Sequence, residues 1–193
     1  MGAWFLFFVL IERMGEHELA ISNIIRATYM ILMTPIWGFA SATNSMVSNL
    51  IGQNKIDDVK LLIRKIINLS LLTTVAIFII SFISPQWMLR ITTSDLSLIE
   101  DAMGCYYIII GAMFLFSISV ILLSAVSGSG NTNAAMAIEF VNIAIYVIYV
   151  YLCAVVYDLS IETVWFSEII YWVMMGLLSG WYLLTRKWQH THI

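Results

Sequence analysis

Five apolar stretches of about twenty residues, each bounded by polar or charged residues, constrain this chain more than any other feature. A helix of that length spans a hydrocarbon core of ~30 Å. The stretches cover residues 27–50, 66–84, 106–126, 134–156 and 164–184. Composition agrees, because 61% hydrophobic and 11% charged residues leave too little polar surface to coat a water-soluble domain. The predicted fold class is therefore all-α, a polytopic transmembrane helix bundle forming a single lobe over 1–193. A further apolar run at 2–11 would cover about 15 Å as a helix, half the hydrocarbon thickness. No basic segment precedes it, and Glu12-Arg13 follows it where a signal peptide would carry small residues. It reads as the tail of a longer helix whose beginning is missing, which gives five complete spans plus the end of a sixth.

Lys and Arg are enriched in cytoplasmic loops, so their distribution predicts direction. One side of the alternation holds Lys55, Lys60, Arg64 and Lys65, with Arg186 and Lys187 after the last span, whereas the other holds Arg13 and Arg90. Arg26, at a span edge, belongs to neither set. Residues 52–65, the 128–133 connection and the C-terminus are thus predicted to be cytoplasmic, and 12–18, 85–101 and 157–163 to lie outside. His190 and His192 are then solvated tail residues.

Within the spans, polar residues stand out against the lipid solvent. The first span carries Thr28, Thr34, Ser41, Thr43, Asn44, Ser45 and Ser48, so it faces protein or water. Ser41, Ser45 and Asn49 recur every four residues, as do Gly38 and Ala42, which fits either close helix packing or a cavity wall. Asn44 favours the wall, because its amide must find partners away from lipid. Pro35 removes one backbone hydrogen bond and is a candidate hinge or a packing feature. Carboxylates in apolar runs mark ion, proton or substrate paths by default, and Glu12, Glu139 and Glu168 qualify. Glu12 pairs with Arg13 at an interface or binds a cation. Glu139, Asn142 and Tyr146, at i, i+3 and i+7, form one polar face and are cavity candidates. Glu168 is expected at the outer interface, and Arg26 either snorkels to headgroups or neutralises one of the acids.

Several function classes are excluded. The net charge of −3 is scattered and suggests no nucleic-acid partner. No nucleophile with a positioned base, no phosphate-binding loop and no HExxH or CxxC ligand set is present, so neither an enzyme nor a resident cofactor is expected. Cys105 and Cys153 stand in apolar runs as small core residues, without metal spacing. Gly128-Ser129-Gly130-Asn131 joins two apolar spans and is a tight helix connection.

Three segments carry a resemblance. Val47-Ser48-Asn49-Leu50-Ile51-Gly52-Gln53-Asn54-Lys55 resembles the VSxxIGxxxG-like end of the second helix in each lobe of the multidrug and toxic compound extrusion (MATE) family. Ser127-Gly128-Ser129-Gly130-Asn131-Thr132 resembles the family's G-x-G-D/N-T turn closing the fourth helix. Met14-Gly15-Glu16-His17-Glu18-Leu19-Ala20-Ile21-Ser22-Asn23-Ile24 is similar to its LGxxxLAAxxI link. The resemblance implies one six-helix lobe of a twelve-helix antiporter, from late in helix seven to the end of helix twelve. It implies export of cationic or amphipathic compounds across the cell (inner) membrane, driven by sodium or protons, with the missing N-terminal lobe or a second copy as partner. By position Glu12 looks like the helix-seven carboxylate associated with cation coupling. Some members place an Asp within helix ten, but 104–127 contains no carboxylate and Phe116 is the nearest match. Two alternatives remain: a lipid-linked oligosaccharide flippase of the same superfamily, for whose cationic cavity only Arg26 is available, and a half-transporter inactive alone.

Overall fold

The computed structural model describes residues 2–185, with side chains from residue 4 onward. Arg186, Lys187, His190 and His192 lie outside the described residues. Among those described, all regular structure is helical: α1 (Gly2–Glu12), α2 (Glu16–Gly52), α3 (Ile56–Ile83), α4 (Pro85–Arg90), α5 (Leu96–Gly128), α6 (Thr132–Tyr151), a π-helical turn (Leu152–Val156), α7 (Ile161–Trp165) and α8 (Ser167–Leu184). Five stretches are long and apolar enough to cross a membrane: Glu16–Gly52, Ile56–Ile83, Leu96–Gly128, Thr132–Val156 and Ile161–Leu184. Most run beyond the apolar stretches read from the sequence, and α2 starts eleven residues before position 27. Hydropathy marks the lipid-facing part of a helix, whereas the hydrogen-bond ladder continues into polar sequence.

The turns show why the helices end where they do. At the end of α2, Asn54 adopts φ 57°. Its amide bonds the Ile51 carbonyl at 2.9 Å, and the Lys55 amide bonds that of Leu50 at 2.9 Å. This is a Schellman cap, and Asn is one of the few side chains that tolerate its left-handed position. Between α5 and α6, Gly130 takes φ 87°. Asn131 then caps α6 by accepting from the Ala134 amide at 3.0 Å, while its Nδ2 donates to the Tyr182 hydroxyl at 2.7 Å and ties the turn to α8. Asp95 caps α5, accepting at Oδ1 from the Ser97 hydroxyl at 2.7 Å and the Ser97 amide at 3.0 Å.

By packing, the chain divides into two compact units. One takes in the described residues up to Met33, Ile77–Met113 and Ile143–Tyr171; the other takes in Thr34–Ala76, Phe114–Asn142 and the described residues from Trp172 on. The second unit contains the 53–55 and 129–131 turns. Its core is Val47, Val59, Ile63, Ile66, Ile121 and Ala125, where α2, α3 and α5 interlock. Here α2 and α5 touch through their backbones. A Cβ on Gly128 would stand 2.6 Å from the Asn44 carbonyl oxygen, and the Ser48 hydroxyl donates to the Gly128 carbonyl at 2.8 Å. Only glycine permits that approach.

The first unit contains the connections around 13–15, 84–95 and 157–160. Its core includes Phe7, Ile11, Ile25, Tyr29, Leu89, Ile99, Tyr106 and Trp165. Three side-chain bonds lock its elements: Tyr106 Oη to the Ser81 carbonyl at 3.1 Å, Trp165 Nε1 to Ser22 Oγ at 3.1 Å, and Thr28 Oγ1 with Thr92 Oγ1 at 3.2 Å.

Two stability tests follow from these contacts. Gly128→Ala forces α2 and α5 apart and is expected to destabilise by about 1–3 kcal/mol, whereas Gly111→Ala, whose added methyl meets nothing within 4 Å, leaves the melting temperature in detergent unchanged or raises it. Hydrogen bonds from the Ser97 hydroxyl, then from the Ser97 and Leu98 amides, hold the Asp95 carboxyl below its ordinary 3.8. A depressed folded value means the cap's contribution is present above 3.8 and lost as pH falls through that folded value. Asp95→Ala should lower the melting temperature at neutral pH, and the gap to the unsubstituted protein should close on acidification; a gap constant with pH would refute the assignment.

Candidate functional site

Two kinds of polar position occur on the membrane-crossing helices. The first is an exposed strip on α2, where Thr34, Ser41, Asn44, Ser45, Ser48 and Asn49 are all uncovered within the chain. Thr43, on the opposite side, turns inward and satisfies itself by donating to the Phe39 carbonyl at 2.7 Å. Other helices expose a different surface: α3 presents Leu69, Leu72, Ile79, Ile80 and Ile83, and α8 presents Leu177, Trp181 and Leu184. Those faces suit lipid, and the α2 strip does not. Pro35 is exposed, and α2 continues through it without interruption. Glu12 is the last residue of α1 and is exposed.

The second kind is buried. On α6, Asn142 and Tyr146 turn inward one helical turn apart, while Glu139 is half-buried and engaged by a neighbour. Asn142 belongs to the second unit, where it is 0% exposed and neither amide atom has a hydrogen-bond partner among the described residues. Tyr146 belongs to the first unit. Its hydroxyl donates to Glu168 Oε1 at 3.3 Å, a long bond for O–H to O. Glu168 is only 2% exposed. Wherever it stands along the membrane normal, it is covered by protein. It lies in the first turn of α8, beside the one-residue break at Phe166 that separates α7 from α8. Aromatic rings pack about Tyr146: Phe7 lies against it at 6.0 Å and against Trp165 at 5.1 Å between centroids, and Tyr171 packs edge-on against Tyr146 at 5.5 Å.

The Arg26 guanidinium stacks 4.5 Å from the Phe8 ring centroid. Cys105 and Cys153 are buried free thiols, as apolar core positions require. The π-helical turn and the Phe166 break were not read from the sequence. The break has a signal, because Ser167-Glu168 inside an apolar run is a helix-start pair. The turn at Leu152–Val156 has none, since its five residues are all good helix-compatible apolar types.

Comparison with known proteins agrees with this architecture. The MatE family model matches residues 3–152. The chain is 29% identical over 179 residues to the probable multidrug resistance protein NorM of Thermotoga maritima, covering 92% of this chain and 38% of that protein. Among solved structures, a MOP superfamily transporter from Pyrococcus furiosus, described as having a binding pocket of reverse polarity, superposes with a TM-score of 0.85 at 15% identity, over 99% of this chain and 42% of that one. The chain thus spans about two fifths of the length of the relatives it matches. With a family model covering most of its length and the helical architecture shared, the chain belongs to the MatE family of membrane transporters.

Proposed function

We propose that this chain forms the C-terminal lobe of a secondary antiporter that exports organic cations or amphipathic drugs across the cell (inner) membrane in exchange for sodium or protons. One observation carries the reading: α2 exposes the Asn44 amide within a membrane-crossing helix, beside Ser45 and Ser48, which donate to the Ser41 and Gly128 carbonyls, while α3 and α8 expose aliphatic and aromatic side chains. Hydrocarbon cannot satisfy the amide, so this face of α2 meets water or protein. A polar cavity wall shared with a second lobe meets that requirement, and paired lobes around a central site are how alternating access is built. The chain's share of its relatives' length supports the same arrangement. The cytoplasmic C-terminus is supported by Lys55, Lys60, Arg64 and Lys65 gathering at one end of α3.

In this mechanism Asn44 lines the cavity and Glu12 binds the coupling cation. Loss of the Glu12 charge on protonation or cation binding lets α1 and α2 repack, with Pro35 as the hinge. On α6 the half-buried Glu139 is the residue nearest to such a role, while Asn142 and Tyr146, on the same polar face, are covered within this chain. The test is efflux of a fluorescent organic cation from proteoliposomes holding the intact transporter under an imposed proton or sodium gradient. Glu12→Gln should abolish uphill efflux at unchanged membrane expression, and Asn44→Leu should weaken substrate binding several-fold. Unchanged efflux in Glu12→Gln would remove the coupling role from that residue, and no gradient-driven efflux by the unsubstituted protein would sink the antiporter reading.

A further inference from the structure

The Glu168 carboxyl has no task in the mechanism above, yet burying a carboxyl at membrane depth is expensive and by default marks a functional group. We infer that Glu168 and Tyr146 form a proton-binding site inside this chain, at which Glu168 takes up one proton on a carboxylate oxygen and returns it, with the Tyr146 hydroxyl as hydrogen-bond partner in both states. The inference deepens the antiporter reading by adding a coupling group remote from Glu12, and it rests on that reading for its purpose only.

Three features support it. Glu168 is buried and within 3.3 Å of a hydroxyl that can donate to the carboxylate and accept from the acid. The Tyr146 side of the pair is packed by rings, with Phe7 and Tyr171 both in contact with it. Finally, the elements around the pair are irregular. The helix breaks at Phe166, and the π-helical turn one turn beyond Tyr146 packs against both α1 and α7. Such interruptions give membrane helices room to rearrange. Among the described residues, titratable groups near Tyr146 include Tyr29 from α2 and Tyr171 from α8. From α1 and α7 the facing groups are the apolar rings of Phe7 and Trp165, and Arg26 is held on Phe8.

Infrared difference spectroscopy of the protein in lipid vesicles, titrated with pH, tests this without any transported compound. The carbonyl stretch of a protonated, buried carboxylic acid should appear on acidification, vanish in Glu168→Gln, and shift in frequency in Tyr146→Phe. Persistence of the same band in Glu168→Gln overturns the site. If Glu168→Gln does not fold, Tyr146→Phe decides: an unmoved band overturns it. A titrating band in a protein without gradient-driven efflux would leave the site standing and reject the antiporter. Efflux without the band would do the reverse.

Discussion

Hydrocarbon offers a peptide group no hydrogen-bond partner, and this one deficiency organises the whole molecule. It forces the long segments into helical ladders, and at the turns between them protein groups supply the missing bonds. The left-handed Asn54 closes α2 on its own carbonyls, and Asn131 serves α6 and α8 at once through the Ala134 amide and the Tyr182 hydroxyl. The same demand explains the inward serines and threonines. Thr74 returns its hydroxyl to the Ser70 carbonyl at 2.9 Å, and Ser119 crosses to the Trp172 carbonyl at 2.6 Å. Such bonds let a polar residue occupy a helix without meeting lipid.

Polar groups that escape this rule are then informative. On the α2 strip Ser45 and Ser48 find carbonyls within the chain and the exposed Asn44 amide remains, whereas Glu168 is buried with the Tyr146 hydroxyl as a partner, so the two solve the same problem differently. An exposed strip asks for a neighbour; an enclosed carboxyl asks for a change of charge. Asn142 does neither, since it is covered and its amide has no partner among the described residues. A buried amide left without partners costs about 1–3 kcal/mol.

Much of the architecture was legible in the sequence because hydropathy reads helix length directly. The five crossing helices, the tight 128–131 turn and the buried cysteines follow from local residue types. The polar strip on α2 was legible for the same reason, as Ser41, Ser45 and Asn49 repeat with the helix. The depth of a side chain in the bundle was not legible. Glu168 stands four residues after Val164, near the end of an apolar run, and only the folding of α6 against α8 covers it and brings the Tyr146 hydroxyl to the carboxyl. For Arg26, nothing local announces that Phe8, eighteen residues earlier, supplies a π face. The π-helical turn was invisible because a one-residue insertion in a hydrogen-bond ladder leaves no periodic trace in five apolar residues.

The contact of α2 with α5 at Gly128 has a mechanical meaning. Elsewhere in the bundle flexible side chains lie between helices and absorb small rotations by changing rotamer. Where Gly128 meets Asn44 there is no such cushion, and Ser48 adds a clamp on the carbonyl. Neither helix can turn about its own axis at that point without carrying the other. At that point the two helices are coupled through main chain rather than through rotamers, so a rotation of α2 there meets the α5 backbone directly.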